Sequence, residues 1–188
     1  MDAQLQAVRQ DLRAASQRLD RLLKGLSDEG WRRRPQTGSW SAAECVAHLN
    51  ITHEAYLPRL RTGLEAVPTS GERGSGRLRK GPLGWMFGRM VGPLPRVAGR
   101  RRGRVKAPAA FVPGGELPRS EVVERFRTLQ SELMEFVEAC EGRPIDGVRI
   151  QSPFVESVSF NLFATLVIIA RHQHRHLQQA EEAAGGTG

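Results

Sequence analysis

Helical periodicity recurs in four stretches of this chain, and it restricts the fold to helices packed on helices. The first stretch has apolar residues at alternating steps of three and four, namely Leu5, Val8, Leu12, Ala15, Leu19, Leu22 and Leu26. The third stretch repeats the pattern with Val122, Phe126, Leu129, Leu133, Phe136 and Cys140. Such a stripe forms one face of an amphipathic helix. Each of these helices must therefore bury that face against another element.

Local signals predict where the helices begin and end. Ser41 and Glu44 have the spacing of a capping box, which predicts the start of the second helix. Pro58 predicts a kink within that helix. Gly30 is expected to end the first helix, and Ser120 is expected to cap the third.

The remaining segments complete the prediction of the fold. The fourth helix is expected to run from about residue 159 to about residue 182. Residues 67–118 are rich in Gly, Pro and Arg, with one short amphipathic helix at 83–91, and residues 148–151 could form an extended segment. We predict one domain over residues 1–188, an all-α, up-down four-helix bundle of which residues 67–118 form a long basic insertion between helices two and three.

The net charge of +8 is concentrated in residues 73–106, which contain no acidic residue. Eleven basic residues lie there: Arg73, Arg77, Arg79, Lys80, Arg89, Arg96, Arg100, Arg101, Arg102, Arg104 and Lys106. Such a tract can contact the phosphates of nucleic acid or of an anionic membrane. It has few aromatic residues for base stacking and no recognised DNA-binding motif. We expect a solvated cover packed on the bundle by Trp85, Met86 and Phe87, ahead of a lid that holds an acidic substrate, with nucleic acid binding third.

The cysteines and the apolar runs indicate a cytoplasmic protein. Cys45 and Cys140 each lie in a predicted helix and have no metal-ligand spacing, as expected in a reducing compartment. The beginning of the chain lacks the apolar core of a signal peptide. The longest apolar run, residues 162–170, is too short to span a bilayer. We therefore expect no membrane partner.

Two histidines in the fourth helix have the spacing of metal ligands. His172 and His176 stand four residues apart, so their side chains share one helical face. The same spacing also occurs on solvated helices. Ala164 and Ile168 lie on that face too, so the histidines continue a surface that we expect to be buried, where an unpartnered imidazole is costly. His174 points to the opposite side and is expected at the surface.

A third imidazole could come from the second helix, which contains His48 and His53. Periodicity does not separate the two, and either could instead be a buried histidine of the core. Imidazole suits Zn, Ni, Cu or Fe, and three protein ligands leave a position open for water or substrate.

Two motifs resemble those of the DinB-like superfamily. Residues 31–49 resemble its opening motif, and residues 172–179, a histidine followed after three residues by His, Leu and Gln, are similar to its closing motif. Residues 105–113 resemble a segment of one branch, and the resemblance spans nearly the whole chain. It implies that His48 joins His172 and His176 as the metal ligands and that His53 does not.

The resemblance also implies a class of reaction. Relatives include transferases and isomerases that use a low-molecular-weight thiol such as mycothiol or bacillithiol, and others are metal-dependent hydrolases. A divalent ion held by neutral imidazoles lowers the pKa of a bound thiol or water. We expect a thiol-dependent S-transferase; the alternatives are a metal-dependent hydrolase, or a non-catalytic metal-binding protein whose insertion binds a polyanion.

Several components stay open in this interpretation. Zn or Ni is the expected ion, with Fe, Mn or Cu as alternatives. A small-molecule substrate is the expected partner, and relatives are often homodimers. No catalytic residue is assigned, although Glu44, Asp146 and Glu156 are candidates for orienting a ligand or acting as a base.

Overall fold

Six α-helices make up most of the part of the chain that the structure describes. The computed structural model describes residues 2–67, 77–93, 96–97, 100–101 and 107–185. The helices are α1 (Ala3–Lys24), α2 (Asp28–Arg32), α3 (Ala42–Glu65), α4 (Gly81–Val91), α5 (Arg119–Ala139) and α6 (Leu162–Ala183). Two short antiparallel pairs join β1 (Arg96–Val97) to β2 (Arg100–Arg101) and β3 (Arg149–Gln151) to β4 (Ser159–Asn161). Single 3₁₀ turns lie at Ala109–Phe111 and Ile145–Gly147.

The four long helices form a bundle, so the predicted all-α class is confirmed. Helix α3 packs against α5 and α6, and α1 packs against the same two helices. The apolar stripe of α1 faces inward, since Leu5, Leu12 and Leu19 are almost fully buried. The bundle interior therefore consists of the surfaces that helical periodicity predicts.

The directions of the helices refine the up-down description. Helices α3 and α5 run parallel, because Asn50 Nδ2 donates to the Val122 carbonyl near their starts (2.9 Å) and Arg61 bonds to Glu132 farther along both (2.7 Å). The chain must therefore return along the bundle between them. The insertion makes this return.

Helix α1 is antiparallel to α5 and parallel to α6. The Asp2 amide, at the start of α1, donates to the carboxylate of Glu141, just beyond the end of α5 (2.8 Å). Arg18 bonds to Glu181 near the ends of α1 and α6 (2.5 Å). The four long helices thus run up, down, down and up in chain order, and directions do not alternate at every step.

The first helix ends earlier than predicted. It stops at Lys24, and Gly25 is its C-cap. Ser27 then begins the short helix α2, where its Oγ accepts a hydrogen bond from the Gly30 amide (3.1 Å). Gly30 therefore lies inside α2 instead of ending the first helix, because a serine cap followed by two acidic residues favours a new helical start.

The starts of α3 and α5 show one correct and one incorrect prediction. The capping box of Ser41 and Glu44 is present at the start of α3, and the helix continues through Pro58 to Glu65. Helix α5 begins at Arg119, because the Pro118 carbonyl already accepts the first helical hydrogen bond. Ser120 is therefore inside the helix and does not cap it.

The insertion contains the predicted short helix, α4, which packs on α6 and β4. Gly84 allows this close contact, since a Cβ there would lie 2.6 Å from the Ala164 Cβ. Phe87 packs on Phe160 with ring centroids 5.0 Å apart, as expected. Trp85 and Met86 instead remain 59% and 54% exposed, because they lie on the opposite face of α4.

Part of the basic tract lies outside the described residues, namely Arg73, Arg102, Arg104 and Lys106. The predicted extended segment is confirmed as β3, which pairs with β4. In the described part of the chain, no helix combines the length and the apolar character that a bilayer-spanning segment needs.

Candidate metal centre

The capping box at the start of α3 fixes the backbone one turn before His48. Ser41 Oγ accepts from the Glu44 amide (3.2 Å), and Glu44 Oε2 accepts from the Ser41 amide (2.8 Å). Arg34 also donates to the Glu44 carboxylate, with Nε at 2.9 Å. Burial raises the pKa of Glu44, but the bonds from Arg34 and Ser41 outweigh it and hold that pKa below its usual range. Glu44 therefore caps α3 as an anion.

Three imidazoles from two helices converge. The potential ligand nitrogens of His48, on α3, and of His172 and His176, on α6, all lie within 4.8 Å of one another. The Nε2 atoms of His172 and His176 are 3.0 Å apart. The ring of His48 is centred 4.5 Å from that of His176 and 5.2 Å from that of His172. The residues that the sequence singled out are thus one cluster.

A backbone carbonyl orients His48. Its Nδ1 lies 2.7 Å from the carbonyl oxygen of Phe111, in the 3₁₀ turn at the end of the insertion. A carbonyl only accepts hydrogen bonds, so Nδ1 carries the proton and Nε2 keeps its lone pair. Hydrogen bonding of the second imidazole nitrogen is the usual support of a metal-binding histidine. Sequence analysis missed this contact, because a main-chain acceptor leaves no signal in residue types.

Aromatic rings surround the cluster. Trp40, two residues before the start of α3, has its ring centred 4.8 Å from His48 and 5.8 Å from His176. Phe154, from the loop between β3 and β4, lies 6.5 Å from His48 and 4.3 Å from Phe111. These rings cover the cluster and lower the local dielectric constant, so electrostatic interactions within the cluster are stronger than they would be in water.

Burial keeps the three imidazoles neutral. It is the main cause that lowers the pKa of His48, which the Phe111 carbonyl partly offsets. Burial lowers the pKa of His172 and of His176 well below the ordinary value, and the neighbouring histidines lower it further. A histidine must be neutral to bind a metal ion. The cluster is therefore in the protonation state that a metal requires.

His53 belongs to a second polar cluster. It is fully buried, and its Nε2 lies 3.0 Å from Gln173 Nε2, which can only donate. Gln173 and Gln130 bond to each other through both side-chain amides, at 2.6 and 3.1 Å. Burial lowers the pKa of His53 to about 3. The structure thus separates His53 from the three-histidine cluster, as the resemblance implies.

The other candidates lie outside the cluster. His174 Nε2 lies 3.1 Å from the Asp11 carbonyl on α1, away from His172 and His176. Asp146 accepts a hydrogen bond from the Arg79 amide (3.0 Å). Glu156 is exposed. Neither carboxylate is part of the group of ligand atoms around His48.

The donor set fits a divalent transition-metal ion. Three neutral imidazole nitrogens suit Zn, Ni, Cu or Fe, and a three-ligand site leaves room for a further ligand. The buried Nδ1 of His172 has no hydrogen-bond partner within the described residues, so that ring is oriented by packing and by its Nε2 contact with His176.

The comparison with protein families agrees with this geometry. The family model described as the DinB superfamily matches residues 11–180, a span that includes all three histidines of the cluster. No curated protein and no solved structure matches the chain.

Proposed function

Because the chain belongs to the DinB superfamily, we propose that it is a metal-dependent enzyme whose divalent ion is held by His48, His172 and His176. We propose further that it transfers a group between a low-molecular-weight thiol and a small-molecule substrate. One observation carries the proposal: the convergence within 4.8 Å of three neutral imidazoles from α3 and α6, of which His48 and His176 are buried and His172 is half-buried.

The convergence of the three imidazoles is informative because it costs free energy to bring their nitrogens together when no ligand is bound. Buried polar atoms are normally satisfied by hydrogen bonds. Between His172 and His176 at most one of the two facing Nε2 atoms can donate, and His48 Nε2 has its lone pair free. A cation would satisfy all three nitrogens at once. Zn or Ni is the preferred ion, since imidazole suits both.

The ion, when bound, supplies Lewis-acid chemistry that lowers the pKa of a thiol or water ligand. Residues of this chain prepare the surroundings for a thiol. Trp40 and Phe154 provide apolar walls that favour a polarisable sulfur over bulk water, and the Phe111 carbonyl fixes the tautomer of His48. Cys45 and Cys140 are both buried and are not joined in a disulfide, which fits a reducing compartment where thiol cosubstrates stay reduced.

Metal analysis tests the site first. The chain loaded with Zn²⁺ or Ni²⁺ and gel-filtered should retain about one ion, and His48→Ala, His172→Ala and His176→Ala should each retain almost none. His174→Ala is the matched control, because His174 lies between two of the proposed ligands on α6 and bonds to Asp11 instead. Equal metal retention in His172→Ala and His174→Ala would refute the site.

Spectroscopy and kinetics then test the thiol. Co²⁺-substituted protein should gain a sulfur-to-metal charge-transfer band when a small thiol is added, and His176→Ala should not. Turnover of an electrophilic substrate should depend on the thiol concentration. Metal-dependent turnover of an ester or amide without any thiol would favour the hydrolase instead.

A further inference from the structure

Exposed apolar side chains are concentrated on α4. Among the described residues, six large apolar side chains are exposed, and four of them lie on this eleven-residue helix: Leu83, Trp85, Met86 and Met90. Scattered apolar residues are normal on protein surfaces, whereas a contiguous patch marks an interaction site. The concentration of these side chains on one helix therefore indicates that α4 binds a partner.

The two faces of α4 differ sharply. Gly84, Phe87, Gly88 and Val91 lie toward α6, where Phe87 and Val91 join a small apolar cluster with Ile168. Helical spacing places Met86, Met90 and Leu83 beside one another on the outer face, with Trp85 and Arg89 along its edge. The guanidinium of Arg89 lies 5.5 Å from the centre of the Trp85 ring. The helix is thus bound to the bundle by one face and presents an apolar outer face.

The segment that carries this face is basic, and the nearest acidic contact is Asp146, which accepts a hydrogen bond from the Arg79 amide. Arg77 and Arg79 are exposed just before α4, Lys80 is its N-cap, and Arg89 is exposed on the helix. The sequence of residues 73–106 contains no acidic residue. An apolar face carried by a segment whose own charged side chains are all cations is complementary to a surface that is apolar beneath and anionic above.

We propose that α4 is an interfacial helix that binds the chain to anionic lipid surfaces. Leu83, Met86 and Met90 would enter the boundary between headgroups and acyl chains, Trp85 would lie at headgroup level, and the basic residues would face the lipid phosphates. The proposal concerns peripheral binding, which requires no bilayer-spanning helix. It also differs from the solvated cover that the sequence suggests, because Trp85 and Met86 do not pack on the bundle.

Charge and composition favour lipid over other occupants. A second copy of this chain would bring the same cations against one another, which is unfavourable. Duplex DNA would satisfy the cations, but it offers no apolar surface to Leu83, Met86 and Met90. An anionic bilayer satisfies both features of the face.

Vesicle flotation of the full chain tests the proposal. Binding to phosphatidylcholine vesicles with about one quarter phosphatidylglycerol should exceed binding to pure phosphatidylcholine vesicles by about tenfold or more. Binding to the anionic vesicles should weaken when the NaCl concentration is raised from about 0.05 to about 0.5 M. Trp85 is far more exposed than Trp31 and Trp40, so brominated lipids should quench its emission selectively.

Paired variants separate the apolar from the ionic contribution. Trp85→Ser with Met86→Ser should reduce binding about tenfold, whereas Val112→Ser with Val155→Ser, at 46% exposure each, should not. Arg79→Gln with Arg89→Gln should weaken binding severalfold more than Arg13→Gln with Arg59→Gln, which removes the same charge from exposed positions on α1 and α3. Circular dichroism and thermal melts should show that all four variants fold like the parent.

Four results would overturn the proposal. The parent chain could fail to bind anionic vesicles, or the Trp85/Met86 variant could bind as well as the parent. Salt-sensitive binding to duplex DNA that survives the loss of Trp85 and Met86, without vesicle binding, would identify a nucleic-acid partner. Self-association that Trp85→Ser with Met86→Ser abolishes, again without vesicle binding, would identify a second copy as the occupant.

Discussion

Two buried polar clusters lie side by side in this bundle, and they solve the same physical problem differently. Both take one histidine from α3 and at least one residue from α6. In the glutamine cluster, Gln130 and Gln173 bond to each other, Gln173 donates to His53, and Gln130 donates to the Leu12 carbonyl (2.6 Å). Neighbouring protein groups therefore meet most of its hydrogen-bonding needs.

The histidine cluster brings together three ring nitrogens with at most one donor among them. Nε2 of His172 and Nε2 of His176 face each other at 3.0 Å, and the hydrogen bond of His48 to Phe111 directs its own Nε2 away from that carbonyl. The comparison teaches that buried polarity alone does not identify a functional site. Complementary donors and acceptors indicate a structural network, whereas convergent acceptors indicate a site for a cation.

Loss of metal is the largest expected difference between the clusters. His172→Ala should lower retained Zn²⁺ from about one ion per chain to nearly zero, while Gln130→Leu should leave the ratio unchanged. Gel filtration followed by elemental analysis gives the ratio. Equal loss in both variants would mean that the two clusters work as a single unit.

The loss of stability should be larger when the glutamine cluster is disrupted than when the histidine cluster is. Gln130→Leu should reduce the free energy of unfolding of the metal-free chain by about 2–3 kcal/mol, because it removes both bonds to the buried Gln173 amide and the bond to the Leu12 carbonyl. His172→Ala should cost less in the metal-free chain, since it removes one histidine–histidine hydrogen bond and a half-buried ring whose Nδ1 has no partner among the described residues. Urea unfolding measures the free energy of unfolding of both variants. A smaller loss in Gln130→Leu than in His172→Ala would contradict a structural role for the glutamine cluster.

Metal should stabilise only chains with an intact histidine cluster. Free ion at about one hundred times its dissociation constant should add about 2.7 kcal/mol to the free energy of unfolding. The parent and His174→Ala should show this gain, and His176→Ala should not. Unfolding curves at several ion concentrations provide the measurement, and a similar gain in His176→Ala would place the ion elsewhere.

Acid should act on the glutamine cluster through His53. Burial holds the pKa of His53 at about 3 in the folded chain against 6.5 ordinarily, so the unfolded chain binds a proton that the folded chain does not. The contribution of His53 to the free energy of unfolding is therefore constant above pH 6.5. Between pH 6.5 and pH 3 it falls by about 1.4 kcal/mol for each unit by which the pH decreases.

His53→Gln should therefore make the acid dependence of unfolding shallower by about one proton. Both chains are measured free of metal over the same pH range, so that the three clustered histidines contribute equally to the two curves. An unchanged slope would show that His53 is protonated in the folded chain.

Local patterns predict much of this structure. The stripe of α1, the capping box of α3 and the short α4 follow from side-chain spacing, which the structure confirms. The facing of His172 and His176 follows from the same rule. The choice of His48 over His53 does not, because both are buried on α3 and periodicity treats them alike. The resemblance in residues 31–49 made that choice.

Contacts between distant segments explain the rest. Nothing local indicates that Gln130 meets Gln173, that a loop places Phe154 near His48, or that the Phe111 carbonyl accepts from His48. Each depends on the relative directions of helices, which residue spacing does not encode. Two aromatic residues near helix starts, Trp40 before α3 and Phe154 in the irregular stretch before α6, are the usable hints of apolar contacts beside the cluster.

The parallel course of α3 and α5 sets a minimum length for the chain between them. Helix α3 has 24 residues and is therefore about 36 Å long, a distance that about 11 extended residues could cross. Residues 66–118 exceed that minimum by about forty. The topology thus requires a connecting segment, but not one of this length. The excess residues could be removed upstream of the turn that ends at Phe111. A shortened chain would still connect α3 to α5, but without α4 it would uncover Ala164 and Ile168 on α6 and remove the bond from Arg175 to the Met90 carbonyl.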